Sequence, residues 1–223
     1  MLATDLAGES IPSRDVLNHT VTIIRGAGAR AMAMIRGLHD LSREESAARK
    51  RVAIIDIMDS ALEIARPAMD ASVTLTVAGE RDSPFVLVNR LELEQALLNL
   101  VVNAGHAVTI MRQQGAPRGG TVYVSCASVR ATEWERDFGA KPGVLYAKIE
   151  VEDDGVGMTE ATIARLFDPF FTTKPEGIGT GLGMSSTYGA VWRHGGFIHV
   201  ESQPGRGTRI GLYLPAIVED TAF

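Results

Sequence analysis

LELEQALLNLVVNAGHAV (91–108) carries apolar residues on almost every face of a helix. A helix of that kind is buried all round and sits at the centre of whatever packs on it. The unbroken pattern predicts that it runs over 90–114. Within it, Gln95, Asn99 and Asn103 recur every four residues and stack on one face. A buried amide left unpaired costs roughly 1–3 kcal/mol, so these side chains require partners. Two kinds of partner are open: other polar groups of the core, or a Mg2+ ion with phosphates. Mg2+ takes oxygen ligands and keeps several waters, so one or two amide oxygens suffice for the second.

On both sides of this helix the periodicity changes. SVTLTVAGE (72–80), PFVLVN (84–89), TVYVSCASV (121–129) and VLYAKIEVED (144–153) alternate or are β-rich and predict strands. Helices are expected over 56–69 and 184–194. A short helix is expected over 159–167, opened by Thr159 with acidic Glu160 behind it. Two further strands, 197–202 and 208–214, flank the turn PGRG (204–207). Helices and strands mix without strict βαβ alternation, which points to an α+β sandwich.

The N-terminal part has a different character. Leu17, Val21, Ile24, Gly28, Ala31, Ile35 and Leu38 are spaced alternately by four and three, a heptad seam. Ile23, Ala27, Met34 and Leu41 widen it into the face of a bundle helix. Such a helix cannot bury its face alone. A homodimer through it is expected, with packing on its own globular domain as the alternative. SREESAARKR (42–51) is charged and reads as a helix end and linker. The expected division is a leader and bundle helix (1–50), a globular domain (51–216) and a tail (217–223).

Composition narrows the function classes. The 22 basic and 27 acidic residues give a net charge of −5, which argues against a nucleic-acid surface. Cys126 is the one cysteine and forms no internal disulfide; it reads as a small buried residue in a reducing compartment. No apolar run approaches the ~20 residues that span a bilayer. The start, MLATDLAGES, has neither the basic nor the apolar region of a signal peptide. A cytoplasmic chain without membrane contact is expected, within a parent protein that has room for a membrane or sensor segment.

Three more clusters carry chemistry. VEDDGVGM (151–158) ends a strand in Asp153 and Asp154, followed by Gly155 and Gly157. A carboxylate at a strand end accepts a hydrogen bond from an exocyclic amine such as adenine N6 and repels a guanine carbonyl. An acidic turn is the plainer reading. LFDPFFTTK (166–174) gathers Phe167, Phe170 and Phe171, three of the seven phenylalanines. They read as an anchor for a loop whose Thr172, Thr173 and Lys174 approach phosphates. GIGTGLGM (177–184) places a glycine-rich turn directly before a helix. Backbone amides there form an anion site favoured by the helix dipole. It lacks the GxxxxGK[ST] of a P-loop.

Taken in this order, the four clusters resemble the catalytic domain of histidine kinases, within the superfamily of gyrase, heat-shock ATPase, histidine-kinase and mismatch-repair ATPases. Residues 99–107 look like the N box, 153–157 the G1 box, 167–171 the F box and 179–183 the G2 box. The stretch 185–215 also looks like the family's end. The resemblance covers about 50–216.

It implies a Bergerat-type ATP-binding sandwich with an N-terminal dimerisation helix, the second helix of a phosphoacceptor hairpin. It implies ATP and Mg2+ as cofactors and a response-regulator receiver domain as partner. Asn103 would ligate Mg2+ with help from Asn99, and Asp153 would hold adenine. Gly155, Gly157, Gly179, Gly181 and Gly183 would shape the pocket and its lid. Phe170, Thr173, Lys174, Thr180 and Leu182 complete the expected nucleotide contacts, and Asn99 and Lys174 are the expected catalytic groups. Hydrolysing members carry a Glu general base at the position of Asn99, and an amide takes no proton from water. This favours transfer of the γ-phosphoryl to a protein nucleophile. His106 stands where related kinases usually carry an acidic residue. No phosphoacceptor box is evident. His19 is the best candidate and His39 a weaker one; His194 and His199 read as structural.

Overall fold

The computed structural model describes residues 48–79, 84–112, 115, 117, 119–131, 141–175 and 178–217. The expected bundle helix, His19, His39 and the residues after Ile217 lie outside the described residues. The elements in chain order are β1 (Lys50–Ala53), α1 (Ile54–Ala65), β2 (Val73–Gly79), β3 (Phe85–Val88), α2 (Arg90–Ala107), β4 (Gly120–Arg130), β5 (Leu145–Asp153), α3 (Glu160–Ile163), α4 (Gly183–Arg193), β6 (Phe197–Ser202) and β7 (Thr208–Ile217).

The strands form one mixed sheet in the order β1-β3-β7-β5-β4-β2, with β6 also paired to β7. β2 and β4 are parallel, and the other pairs are antiparallel. β7 is the spine of this sheet. It pairs with β5 from Tyr146↔Pro215 to Asp153↔Thr208, with β6 along its first half, and with β3 at its end.

Helices α1, α2 and α4 cover one face, with α2 in contact with the other two. Leu93, Leu97, Leu100 and Val101 of α2 are fully buried against Ile54, Ile57 and Met58 of α1 and Ile149, Leu212 and Leu214 of the sheet. Each such side chain contributes about 1.5–3 kcal/mol by leaving water. On the opposite face Tyr146, Phe197 and Tyr213 form a small aromatic cluster.

The period of β5 fixes the position of the functional carboxylate. Ala147, Ile149 and Val151 point to the helices and are buried. Asp153 is next in that row, so its carboxylate points where a core side chain would. Gly155 and Gly157 then turn the chain across the ends of the strands.

The elements depart from the sequence expectations at four places. β1 was expected to be linker. It is too short to show a period and is a strand because it pairs with β3 in register, Lys50↔Val88 to Ala53↔Phe85. α1 gives way after Ala65 to a single 3-10 turn, Arg66–Ala68, at Pro67, whose nitrogen has no hydrogen to donate. α2 stops at Ala107 rather than at 114. The Ala107 carbonyl accepts from Val156 N at 3.3 Å and the Val108 carbonyl from Gly119 N at 2.9 Å, so neither is left for a further helical turn. α3 is regular only over four residues and continues to Asp168 as three-residue turns.

Candidate nucleotide site

The start of α2 is fixed by Asn89, whose side chain accepts from Leu91 N and Glu92 N and donates to Glu92 Oε1 at 3.0 Å. From there the amides of Gln95, Asn99 and Asn103 climb one face of the helix. Gln95 Nε2 donates to Asn99 Oδ1 at 3.3 Å, and Asn99 Nδ2 donates to the Gly183 carbonyl at 3.3 Å. Asn99 thereby ties the helix to the base of the glycine loop. Asn103 points its oxygen elsewhere: Lys174 Nζ donates to Asn103 Oδ1 at 2.6 Å and lies 2.8 Å from His106 Nδ1.

Asn99, Asn103, His106 and Lys174 line a cavity of about 380 Å3 between α2, the tip of β5 and the glycine loop. That volume is within the range of small-molecule sites, about 300–1,000 Å3. Asn99, Asn103, Asp153, Gly157, Thr173, Lys174, Gly179, Thr180, Gly181 and Gly183 all face it. The four clusters read from the sequence therefore enclose one space. Three of the expected contacts stand behind the wall. Gly155 is buried and gives its amide to Asp153, Leu182 is buried at the start of α4, and the Phe170 ring is half exposed on the outside. Phe171, Met158, Met184, Ile210 and His106 also line it, and the sequence reading named none of them as a nucleotide contact. The aromatic run gave a signal for Phe171. Nothing in the sequence separated its inward ring from the outward ring of Phe170.

Asp153 is 8% exposed. Burial pushes its carboxyl up to about 6 against the hold of the Gly155 amide, which donates to Asp153 Oδ1 at 2.8 Å. The nearby Asp154 and Glu152 push the same way. Burial lowers the pKa of Lys174. Burial and the ammonium of Lys174 both lower that of His106, which keeps the imidazole neutral and Nδ1 an acceptor.

The loop closing the cavity is shaped by its glycines. Gly181 has φ +68°, and a Cβ there would overlap the backbone of Phe170. The two strands of the loop are stitched by Phe170 N donating to the Gly181 carbonyl at 2.9 Å. Gly157 has φ +64° and lies under the Gln203 carbonyl. α4 begins directly at Gly183, so its first-turn amides open toward the cavity.

A buried carboxylate at a strand tip, an amide oxygen held to a cation and a glycine flap, all on a helix-covered mixed sheet, define an ATP-binding domain of the histidine-kinase kind. The family model described as histidine kinase-, DNA gyrase B- and HSP90-like ATPase matches residues 88–217, and the chain belongs to this family. It is similar to the sensor kinase CckA of Brucella abortus (strain 2308), 30% identical over 207 residues, which covers 92% of this chain and 20% of that protein. It is similar to the sensory histidine kinase/phosphatase NtrB of Rhizobium leguminosarum bv. phaseoli, 28% identical over 84% of this chain and 46% of that protein. The chain thus spans less than half the length of either relative. Among solved structures it superposes on full-length ShkA in complex with AMPPNP with a TM-score of 0.67 at 21% identity, over 96% of this chain and 40% of that one. The mycobacterial sensor histidine kinase MprB gives 0.58 at 24% identity, over 75% of this chain and 97% of that one.

Proposed function

We propose that this chain is the catalytic module of a two-component histidine kinase, which transfers the γ-phosphoryl of ATP to a histidine for relay to a response-regulator aspartate. The observation that carries this reading is the convergence of Asn103, Asp153, Lys174 and the glycine loop on one cavity. Adenine is assigned to Asp153, which accepts a hydrogen bond from the exocyclic amine. The triphosphate is assigned to the loop amides, Thr173, Thr180 and Lys174.

A divalent ion fits the donor set. Among the described residues no group of three His, Cys, Asp or Glu gathers that could hold one alone. Mg2+ would therefore take most of its oxygens from phosphates and water, with Asn103 supplying one and Asn99 the nearest other amide. The Asn103 oxygen already accepts from a cationic group, Lys174. The ion, when bound, neutralises charge on the transferring phosphoryl group. Asn99 stands where hydrolysis would need a base, and its amide is engaged with Gly183 and Gln95. This supports transfer to an imidazole over transfer to water.

The phosphoacceptor is assigned to a residue outside the described ones or to another protein, and dimerisation to the heptad helix. Among the described residues no helix is long and apolar enough to cross a membrane. The chain, given labelled ATP–Mg2+ and a supplied phosphoacceptor hairpin, should produce acid-labile, base-stable phosphate on the hairpin histidine. Nucleotide binding with no transfer would replace this reading by that of a nucleotide-binding dimerisation module.

A further inference from the structure

We propose that Lys174 and the divalent ion are alternative partners of Asn103, so that Mg-nucleotide binding works by exchanging one cation for the other, with His106 as the positioning residue that parks Lys174 between turnovers. This rests on the ATP reading above and assigns a regulated step to that site.

The geometry points to an exchange because the two cations compete for one atom. Lys174 Nζ donates to Asn103 Oδ1 at 2.6 Å, a short charge-assisted bond. A magnesium ligand oxygen lies about 2.1 Å from its ion, so the ammonium and the ion cannot both occupy that approach to Oδ1. The other amide group of Asn103 is a donor and offers a cation nothing.

The ammonium is held by more than one contact. Its second bond is to His106 Nδ1 at 2.8 Å, one helical turn along α2 from Asn103. An acidic side chain at position 106 would also attract the ammonium, but as an ion pair that resists release in a half-buried site. A neutral imidazole holds Lys174 in place without a full counter-charge. The stem of Lys174 is backed by the glycine loop: a Cβ at Gly179 would lie 3.3 Å from both Cβ and Cδ of Lys174. Lys174 N also donates to Thr172 Oγ1 at 3.2 Å, which keeps the segment 172–174 folded on itself. Movement of Lys174 off Asn103 is therefore coupled to movement of the glycine loop that packs against it. The released ammonium remains within the cavity, where the phosphates of the incoming nucleotide are its new partners.

The ring nitrogens of His106 provide a reporter that needs no catalysis. The uniformly 15N-labelled chain is recorded alone, as Lys174→Met, and with saturating ATP–Mg2+; His106→Gln identifies the His106 ring signal. Lys174→Met should shift the His106 Nδ1 resonance away from its hydrogen-bonded position. ATP–Mg2+ added to the unsubstituted chain should move the same resonance toward the Lys174→Met position, while the amides of Gly155 and Val156 shift as adenine engages the Asp153 carboxylate. A His106 resonance indifferent to Lys174→Met overturns the proposal. So does one that stays put under ATP–Mg2+ while Gly155 and Val156 respond. No nucleotide response at Gly155 or Val156 defeats the ATP reading itself, and the exchange falls with it.

Discussion

The Gly155 amide donates to Asp153 Oδ1 at 2.8 Å, two residues beyond the end of the row that Ile149 and Val151 occupy in the core. This bond, with a second from the Thr208 backbone, partly solvates a carboxylate that the strand's period has carried out of water. Its pKa nevertheless rises to about 6. The two bonds are not enough to offset the burial, and the remaining deficit is what an adenine amine would relieve.

Asp153→Asn should therefore separate function from stability. The amide keeps an oxygen for Gly155 and loses the buried charge. The carboxyl's pKa is higher folded, at about 6, than its ordinary 3.8, so the unfolded chain binds fewer protons across that window. Stability falls as pH rises through it, and at neutral pH the ionised group costs on the order of 3 kcal/mol. Thermal melting at pH 7.5 should show the variant more stable than the parent. Calorimetry should show adenine-nucleotide affinity reduced at least tenfold. Unchanged affinity would remove Asp153 from base recognition.

The same carboxyl predicts a pH profile for binding. Adenosine, which does not titrate in this range, should bind with constant affinity above pH 7. Its affinity should fall as pH drops through about 6, because the protonated carboxyl is a weaker acceptor for the exocyclic amine. Chemical-shift titration from pH 5 to 8 measures this directly, and a flat profile contradicts it.

Gly181→Ala and Gly205→Ala form a matched pair. Both glycines have positive φ, +68° and +74°. At Gly205 a Cβ meets nothing within 4 Å, so the substitution costs only backbone strain, about 1 kcal/mol. At Gly181 the Cβ collides with the Phe170 backbone, so the loop must open. Nucleotide affinity should drop more than tenfold for Gly181→Ala and less than twofold for Gly205→Ala. Equal effects on affinity would show that the loop does not close on the ligand.

His194→Gln tests the structural histidine. Its Nε2 accepts from Asn89 N at 2.9 Å and its Nδ1 lies 2.7 Å from the Ala190 carbonyl, so the neutral Nδ1–H form is required. Burial lowers its pKa, and the stability this supplies is full above about 6.5 and is lost as pH falls below that value. Between pH 6.5 and 5 the parent's melting temperature should decline relative to that of His194→Gln. His106, also shifted down, acts with the same sign, and Asp153, shifted up, acts with the opposite one, which is why the comparison is made against the variant.

Much of the site was legible before any coordinates. The four-residue spacing of Gln95, Asn99 and Asn103 placed three amides on one helical face, and the β-rich run 144–153 placed Asp153 at the end of a strand. Both facts follow from fixed periods of 3.6 and 2, which local geometry imposes wherever the chain folds. The glycines at 155, 157, 179, 181 and 183 likewise marked where backbone must approach closely.

What the chain order left open was long-range pairing. β1 exists because β3 lies beside it, and α2 ends where Val156 and Gly119 take its last carbonyls. Phe171 faces the cavity and Phe170 faces solvent because a positive φ of +68° at Phe170 turns the strap between them. The bond between Lys174 and Asn103 joins residues 71 apart in sequence. Periodicity reports which face a side chain takes on its own element. Which distant group meets it there depends on how the elements pack, and no local pattern encodes that.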